Sequence, residues 1–371
     1  MKKNLWIIFI AFVYFAGFFA HALYLKKAVY GDGIFYYSWL RSGVVDHDID
    51  FANEYSHYGV AQPPTPLGYA GNKYSVGPAL LWAPLYVWTH TLMMGYGYSL
   101  PYELAAGFTS VSLALVGLIL LYRFLAKSFS KQASFLAVAG IAAATNLFFY
   151  GSLDPVNSHA LSFFAATLFL SLLAQKNRSW FLVGAGLGFL ALFRLQDVAY
   201  ALILFTHLGG GRKILIRILL GFSSVFVWQL LAWQTLYGTI FSNPYMFGGE
   251  GFNIFRPHIL GVLFSPANGL FLWTPITMVG IFGLFWKKSW GYIAVFALEL
   301  LLIASWSTWR QGASYSGRMF VSILPLLAIG LAHIYAKILK LRFGRQIILY
   351  SLTLPLSVLN ALFILRFLLN N

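Results

Sequence analysis

Residues 2–37 read KKNLWIIFIAFVYFAGFFAHALYLKKAVYGDGIFYY. Two lysines precede an apolar run, 5–25, and a helix needs about 20 such residues to cross a bilayer. No small-residue cleavage site follows before Lys26, so the run reads as an uncleaved helix and not as a signal peptide. Just past it, Asp32 stands between Gly31 and Gly33. A carboxylate held at a membrane surface between two flexible residues is a candidate general base.

The rest of the chain repeats this pattern. Further apolar segments fall at 75–97, 101–121, 132–150, 156–175, 180–193, 195–208, 213–236, 268–286, 290–306, 318–336 and 346–367. Of the 371 residues, 60% are hydrophobic and 9% charged, against about 25% charged in a soluble domain. These values exclude a soluble protein and a disordered one. They predict an all-α, polytopic helical membrane protein with about 11–12 transmembrane or re-entrant helices. Cysteine is absent, so there is no disulfide framework, thiolate metal site or thiol nucleophile. No Walker loop, Rossmann glycine pattern, HExxH or nucleophile elbow is present.

The formal charge is +15, from 25 Lys and Arg against 10 Asp and Glu. In a membrane protein this imbalance first assigns sides and does not imply nucleic acid. Lys2, Lys3, Arg123, Lys127, Lys131, Lys176, Arg178, Arg212, Lys213, Arg217, Lys287, Lys288, Lys337, Lys340, Arg342 and Arg345 fall in links without acids. They mark the cytoplasmic face of a plasma (inner) membrane, with the N-terminus inside and the C-terminus outside. The links 26–74, 151–157, 194–197, 237–267 and 307–317 then lie outside. The alternation, with Pro78 and Pro84, favours an interfacial or re-entrant helix at 75–97 over a plain crossing. In 180–208, Arg194 and Asp197 interrupt the centre, which predicts two short helices meeting at the outer face.

The outer links carry the chemistry. The first, 26–74, is long and aromatic, with Ile34 to Ser42 suited to lying on the membrane surface. Asp46-His47-Asp48-Ile49-Asp50 and Glu54 form an acidic stretch: a solvated loop, a calcium-like site or a substrate site. Lys73 is either an interfacial anchor or a point charge for a phosphate. Asp154 and His159 flank Asn157 and Ser158, either of which can cap a helix. That frees His159 to point inward; Asp154 and His159, with Asp32, could hold a divalent metal ion. Arg194, Arg310 and Arg318 need anionic partners, either Asp197 and Asp154 or a phosphate. Glu299 sits mid-span and reads as hydrogen-bonded between helices.

In this order, the pieces resemble the GT-C superfamily of polytopic membrane glycosyltransferases, most closely the bacterial branch of protein O-mannosyltransferases and the aminoarabinose transferase of lipid A. Asp32 in Tyr30-Gly31-Asp32-Gly33-Ile34-Phe35-Tyr36-Tyr37 matches that superfamily's acid after the first span; the family's frequent second acid there is replaced by Gly33. Tyr69 to Leu80, with Lys73 and Pro78, is similar to its Tyr-x-x-Lys-Pro-Pro element. Asp154 matches a second acid before a helix, and Arg194 a base at a short-helix junction. Ser158-His159-Ala160, Leu263-Phe264-Ser265-Pro266 and Trp309 through Arg318 look like a bacterial subgroup.

The resemblance covers nearly the whole chain. It implies a single transmembrane domain, 1–371, with 26–74 as its outer catalytic loop and no soluble C-terminal domain. It further implies transfer of a sugar from a polyprenyl-phosphate donor to a glycan, lipid or protein acceptor at the outer face, with membrane lipids around the bundle and no nucleic acid. Asp32 would act as base in an inverting displacement and Asp154 as the second catalytic acid residue. Lys73, Arg194, Arg310 and Arg318 would hold the donor phosphate. Tyr36, Tyr37, Asp48, Glu54, His159 and Trp309 would bind substrate. A transporter or lipid flippase is the rival reading, favoured by the broken run 180–208 and by Glu299.

Overall fold

The computed structural model describes residues 5–205 and 211–370. Lys2 and Lys3, which open the cytoplasmic set, and residues 206–208, which end one apolar run, lie outside the described residues. In chain order the helices are α1 (Leu5–Leu25), α2 (Gly33–Arg41), α3 (Ala52–Tyr58), α4 (Gly77–Met93), α5 (Leu100–Leu125), α6 (Lys131–Ala144), α7 (His159–Leu173), α8 (Trp180–Phe193) and α9 (Ala201–Phe205). They continue as α10 (Arg212–Tyr237), α11 (Pro244–Phe247), α12 (Ile259–Phe264), α13 (Leu270–Trp273), α14 (Ile276–Trp286), α15 (Trp290–Ser305), α16 (Leu324–Ile338), α17 (Gly344–Ile347) and α18 (Leu354–Asn370). Among the described residues, β-structure is limited to isolated bridges, Pro64 with Ala70 and Phe252 with Trp306.

The chain is a multi-pass membrane protein. Among the described residues, five helical stretches are long and apolar enough to cross a bilayer. The stretch 318–338 is 78% buried in its most apolar window and forms the centre; 6–25 is 17% buried and forms the edge. At that edge Ile8, Phe9, Phe12 and Leu23 are exposed, as the lipid-facing side of a span requires. Close helix crossings rest on small residues. A Cβ at Gly184 or Gly188 of α8 would collide with the carbonyl oxygen of Ile218 or Phe222 on α10. This is the small-xxx-small packing that brings membrane helices together without a hydrophobic driving force.

Two irregularities position the site. The first is α4, one continuous helix in spite of Pro84. It runs antiparallel to α5: Trp82 Nε1 donates to Ser110 Oγ at 2.8 Å, and His90 Nδ1 lies 2.9 Å from Tyr102 Oη. Its first turn meets the end of α8, where a Cβ on Gly77 would strike the Leu192 carbonyl. Its last turn meets the start of α5. Both neighbours are the helix ends away from the basic links. The second is the break after α8. Arg194 is extended, at φ −151° and ψ 113°, and a 3-10 turn, Leu195–Tyr200, leads into α9. The two short helices that the charges predict therefore meet at Arg194 and Asp197.

Candidate active site

The centre of the site is built on a tight turn. Gly31 has φ +54°, a left-handed conformation that glycine adopts without penalty. Gly33 opens α2 against the 154–157 segment, where a Cβ would collide with the Val156 carbonyl oxygen. Gly31 thus permits the turn and Gly33 the close approach. Asp32 precedes α2 in the N-cap position, yet its side chain makes no cap hydrogen bond. One carboxylate oxygen accepts from Tyr74 Oη at 2.8 Å; the other pairs with Arg318 Nη1 at 2.8 Å. The glycine-flanked carboxylate is thus an ion-paired one.

Arg318 is held in turn. Asn146 Nδ2 donates to the Gly317 carbonyl at 3.0 Å, and Tyr150 Oη to the Tyr315 carbonyl at 3.0 Å. The link before α7 thereby fixes the loop before α16. Arg318 Nε is buried without a partner. Asp154 lies on the same link, half-buried, in the field of both Arg318 and Asp32. Burial lifts its carboxyl to about 7; Arg318 pulls down and Asp32 pushes up. A carboxyl at that value changes protonation at neutral pH, which suits acid–base work.

The neighbouring cation is Arg194. Asn157 does the capping of α7: its Oδ1 accepts from His159 N at 2.8 Å. The His159 ring is thereby free to accept, through Nδ1, from Arg194 Nη1 at 2.6 Å. Arginine has only donors, so this geometry fixes Nδ1 as the unprotonated nitrogen. Arg194 also donates to Gln196 Oε1 at 3.2 Å and contacts the Met319 sulfur. Its Nε is buried and unpartnered. Among the described residues it makes no ion pair; Asp197, a partner expected from the sequence, instead accepts from Ser322 Oγ at 2.8 Å. A buried guanidinium with neutral partners is a site prepared for an anion.

No protein-family model matches the chain, and no curated protein matches it in sequence. Among solved structures, it superposes on ArnT from Cupriavidus metallidurans, solved with bound undecaprenyl phosphate. The TM-score is 0.57 at 14% identity, over 94% of this chain and 63% of that one. The fold is GT-C-like. The present chain thus spans less than two thirds of that protein's length, and the likeness at this identity is one of fold.

Within the GT-C-like fold, Asp32, Asp154, His159, Arg194 and Arg318 lie near one another. Lys73 is adjacent through Tyr74 and Tyr245, its ammonium 5.4 and 5.9 Å from their ring centres, and it is ion-paired to Glu250. Tyr36 also borders the site, its ring centre 5.0 Å from that of Tyr74 and in the field of Arg194 and Asp32, while the remaining residues fall elsewhere. Glu54 is buried against Arg41 Nη1 at 2.7 Å, with Asp46 on the same nitrogen. Asp48 accepts from Ser42 Oγ at 2.6 Å. These carboxylates close the far end of α2, about 14 Å from Asp32 along its axis. They neutralise an arginine and order a turn. Tyr37 is fully buried, its hydroxyl on the Gly97 carbonyl at 2.6 Å, so no sugar ring can reach it. Tyr36 is buried with its hydroxyl 2.8 Å from Ser158 Oγ. Trp309 stacks on His258 with ring centres 4.7 Å apart, and the exposed Arg310 lies over Trp309.

A divalent cation does not fit Asp32, Asp154 and His159. Asp32 already faces a guanidinium and His159 Nδ1 already accepts from one. No three metal-ligating side chains converge among the described residues. Conversely, the structure adds residues that the sequence did not single out. Tyr74 bonds to Asp32. Tyr245, from the 237–267 link, lies in the field of Arg194, Glu250, Asp32 and Arg318. Glu103, inside an apolar run, accepts from the backbone N–H groups of Ala28 and Val29 at 2.5 and 3.0 Å. It ties the chain to α5 just before the Asp32 turn.

Proposed function

We propose that this protein is a membrane glycosyltransferase. It moves a sugar from a polyprenyl-phosphate donor to an acceptor hydroxyl, of a glycan, a lipid or a protein, at the outer face of the plasma membrane. The observation that carries the reading is the juxtaposition of a carboxylate, Asp32, with Arg194, a buried cation that makes no direct ion pair among the described residues. One removes a proton and the other receives a phosphate. The ArnT fold, which holds undecaprenyl phosphate in that protein, supports the choice of donor.

The acceptor oxygen attacks the anomeric carbon as the bond from that carbon to the phosphate oxygen breaks, inverting the centre. Asp32 takes the hydroxyl proton. Tyr74 and Arg318 hold the carboxylate in one orientation, so little geometry is left to arrange in the transition state. Negative charge gathers on the leaving phosphate, where Arg194 stabilises it. Lys73 joins by exchanging Glu250 for the phosphate. Asp154, in its ionised form, accepts from the acceptor and orients it.

The test is transfer by purified protein offered a set of polyprenyl-phosphate sugars and a cell-envelope extract. A glycosylated product is expected with one donor. Movement of lipid across the bilayer with no product from any donor would support the flippase instead.

A further inference from the structure

Glu299 lies at the middle of α15, fully buried, and the proposed chemistry does not use it. It reaches the site through one side chain. Gln196 Nε2 donates to Glu299 Oε2 at 2.5 Å and to the Met319 carbonyl at 3.4 Å. The same amide's Oε1 accepts from Arg194 Nη2 at 3.2 Å. The assignment of the amide is forced. Arginine can only donate, so the oxygen of Gln196 faces Arg194 and its NH2 faces Glu299. Donation in the chain of contacts Glu299–Gln196–Arg194–His159 therefore runs outward from Arg194, to His159 on one side and through Gln196 to Glu299 on the other. Met319, next to Arg318, shares both Gln196 and Arg194.

The arrangement also explains a substitution that the fold avoids. A carboxylate placed directly on Arg194 would fix the guanidinium equally well, but would neutralise it. An amide inserted between them fixes it without a direct ion pair.

We propose that Glu299 and Gln196 are positioning residues for Arg194. Glu299 locks the rotamer of Gln196, and Gln196 locks the guanidinium in the orientation that meets an anionic phosphate. The inference rests on reading Arg194 as the residue that binds the donor phosphate. Asp197 lies beside Glu299, so a glutamine at 299 can keep its oxygen on Gln196 and turn its NH2 to Asp197.

The experiment measures binding of undecaprenyl phosphate to the purified full chain in nanodiscs. Arg194→Ala should weaken binding tenfold or more. Glu299→Leu and Gln196→Met should each weaken it about fivefold, the scale of one ordinary hydrogen bond. Glu299→Gln should bind as the wild type does, a rescue that general damage to the bundle would not give. Should Glu299→Leu fail to fold, Gln196→Met, on the half-exposed turn, carries the same test. Wild-type binding by Gln196→Met beside weak binding by Arg194→Ala overturns the positioning role and leaves the phosphate role standing. Equal weakening in Glu299→Gln and Glu299→Leu also overturns it. Wild-type binding by Arg194→Ala overturns the phosphate reading itself.

Discussion

Asp32 illustrates how a residue in a familiar position can be turned to another task. An aspartate before a helix ordinarily caps it, but here the carboxylate leaves the α2 amides and takes Tyr74 and Arg318. Removing its charge should remove proton acceptance while sparing the fold, because Asn can still accept from Tyr74. Asp32→Asn is expected to lower the transfer rate by about 100-fold or more, read as product formed per minute at saturating donor. Asp154 supplies a pH signature. Its carboxyl sits at about 7 through burial, so its ionised fraction, and with it the transfer rate, should rise across neutral pH and then level off. Asp154→Asn should flatten that rise; an unchanged pH profile would remove Asp154 from the chemistry. The acids and arginines of the site were legible because charge is rare in this chain. Tyr74 and Tyr245 were not, since aromatic residues form 19% of the sequence and nothing local separates a site tyrosine from an interfacial anchor.

The helices themselves were largely legible, because a bilayer imposes a length on apolar runs that water does not. Breaks inside them were legible only where a charge marked them. Arg194 and Asp197 announce the end of α8, whereas the break between α13 and α14 at Thr274 and Pro275 carries no charge and was read through. The acidic stretch after α2 misled for a related reason. Sequence proximity grouped Asp48 and Glu54 with Asp32, but α2 carries them to its opposite end, where Arg41 uses Glu54. Close packing of elements makes two further predictions. Gly33→Ala must push α2 off the Val156 carbonyl; it should cost about 1–3 kcal/mol and also displace Asp32, so that activity falls more than the melting temperature implies. Gly188→Val, at the α8–α10 crossing, should lower the melting temperature by a similar energy and disturb Arg194 at the end of α8, seen as weaker binding of undecaprenyl phosphate.

At the scale of the molecule, the sidedness we propose rests on basic links without acids and on helices that run between them and the acidic links. The absence of cysteine makes this directly testable, since one introduced thiol is the only reactive one. A cysteine replacing Ser128 should resist an impermeant reagent applied outside the cell, and one replacing Ser307 should react. The reverse pattern would invert the orientation. The central claim is that Asp32 and its flanking cations perform glycosyl transfer from a lipid phosphate. The most direct measurement is therefore the transfer reaction of purified wild-type protein beside Asp32→Asn, each with polyprenyl-phosphate sugars and a cell-envelope acceptor extract. The account predicts a glycosylated product with the wild type and its near-complete loss in a folded Asp32→Asn variant. No product from any donor, or equal product from both proteins, would contradict it.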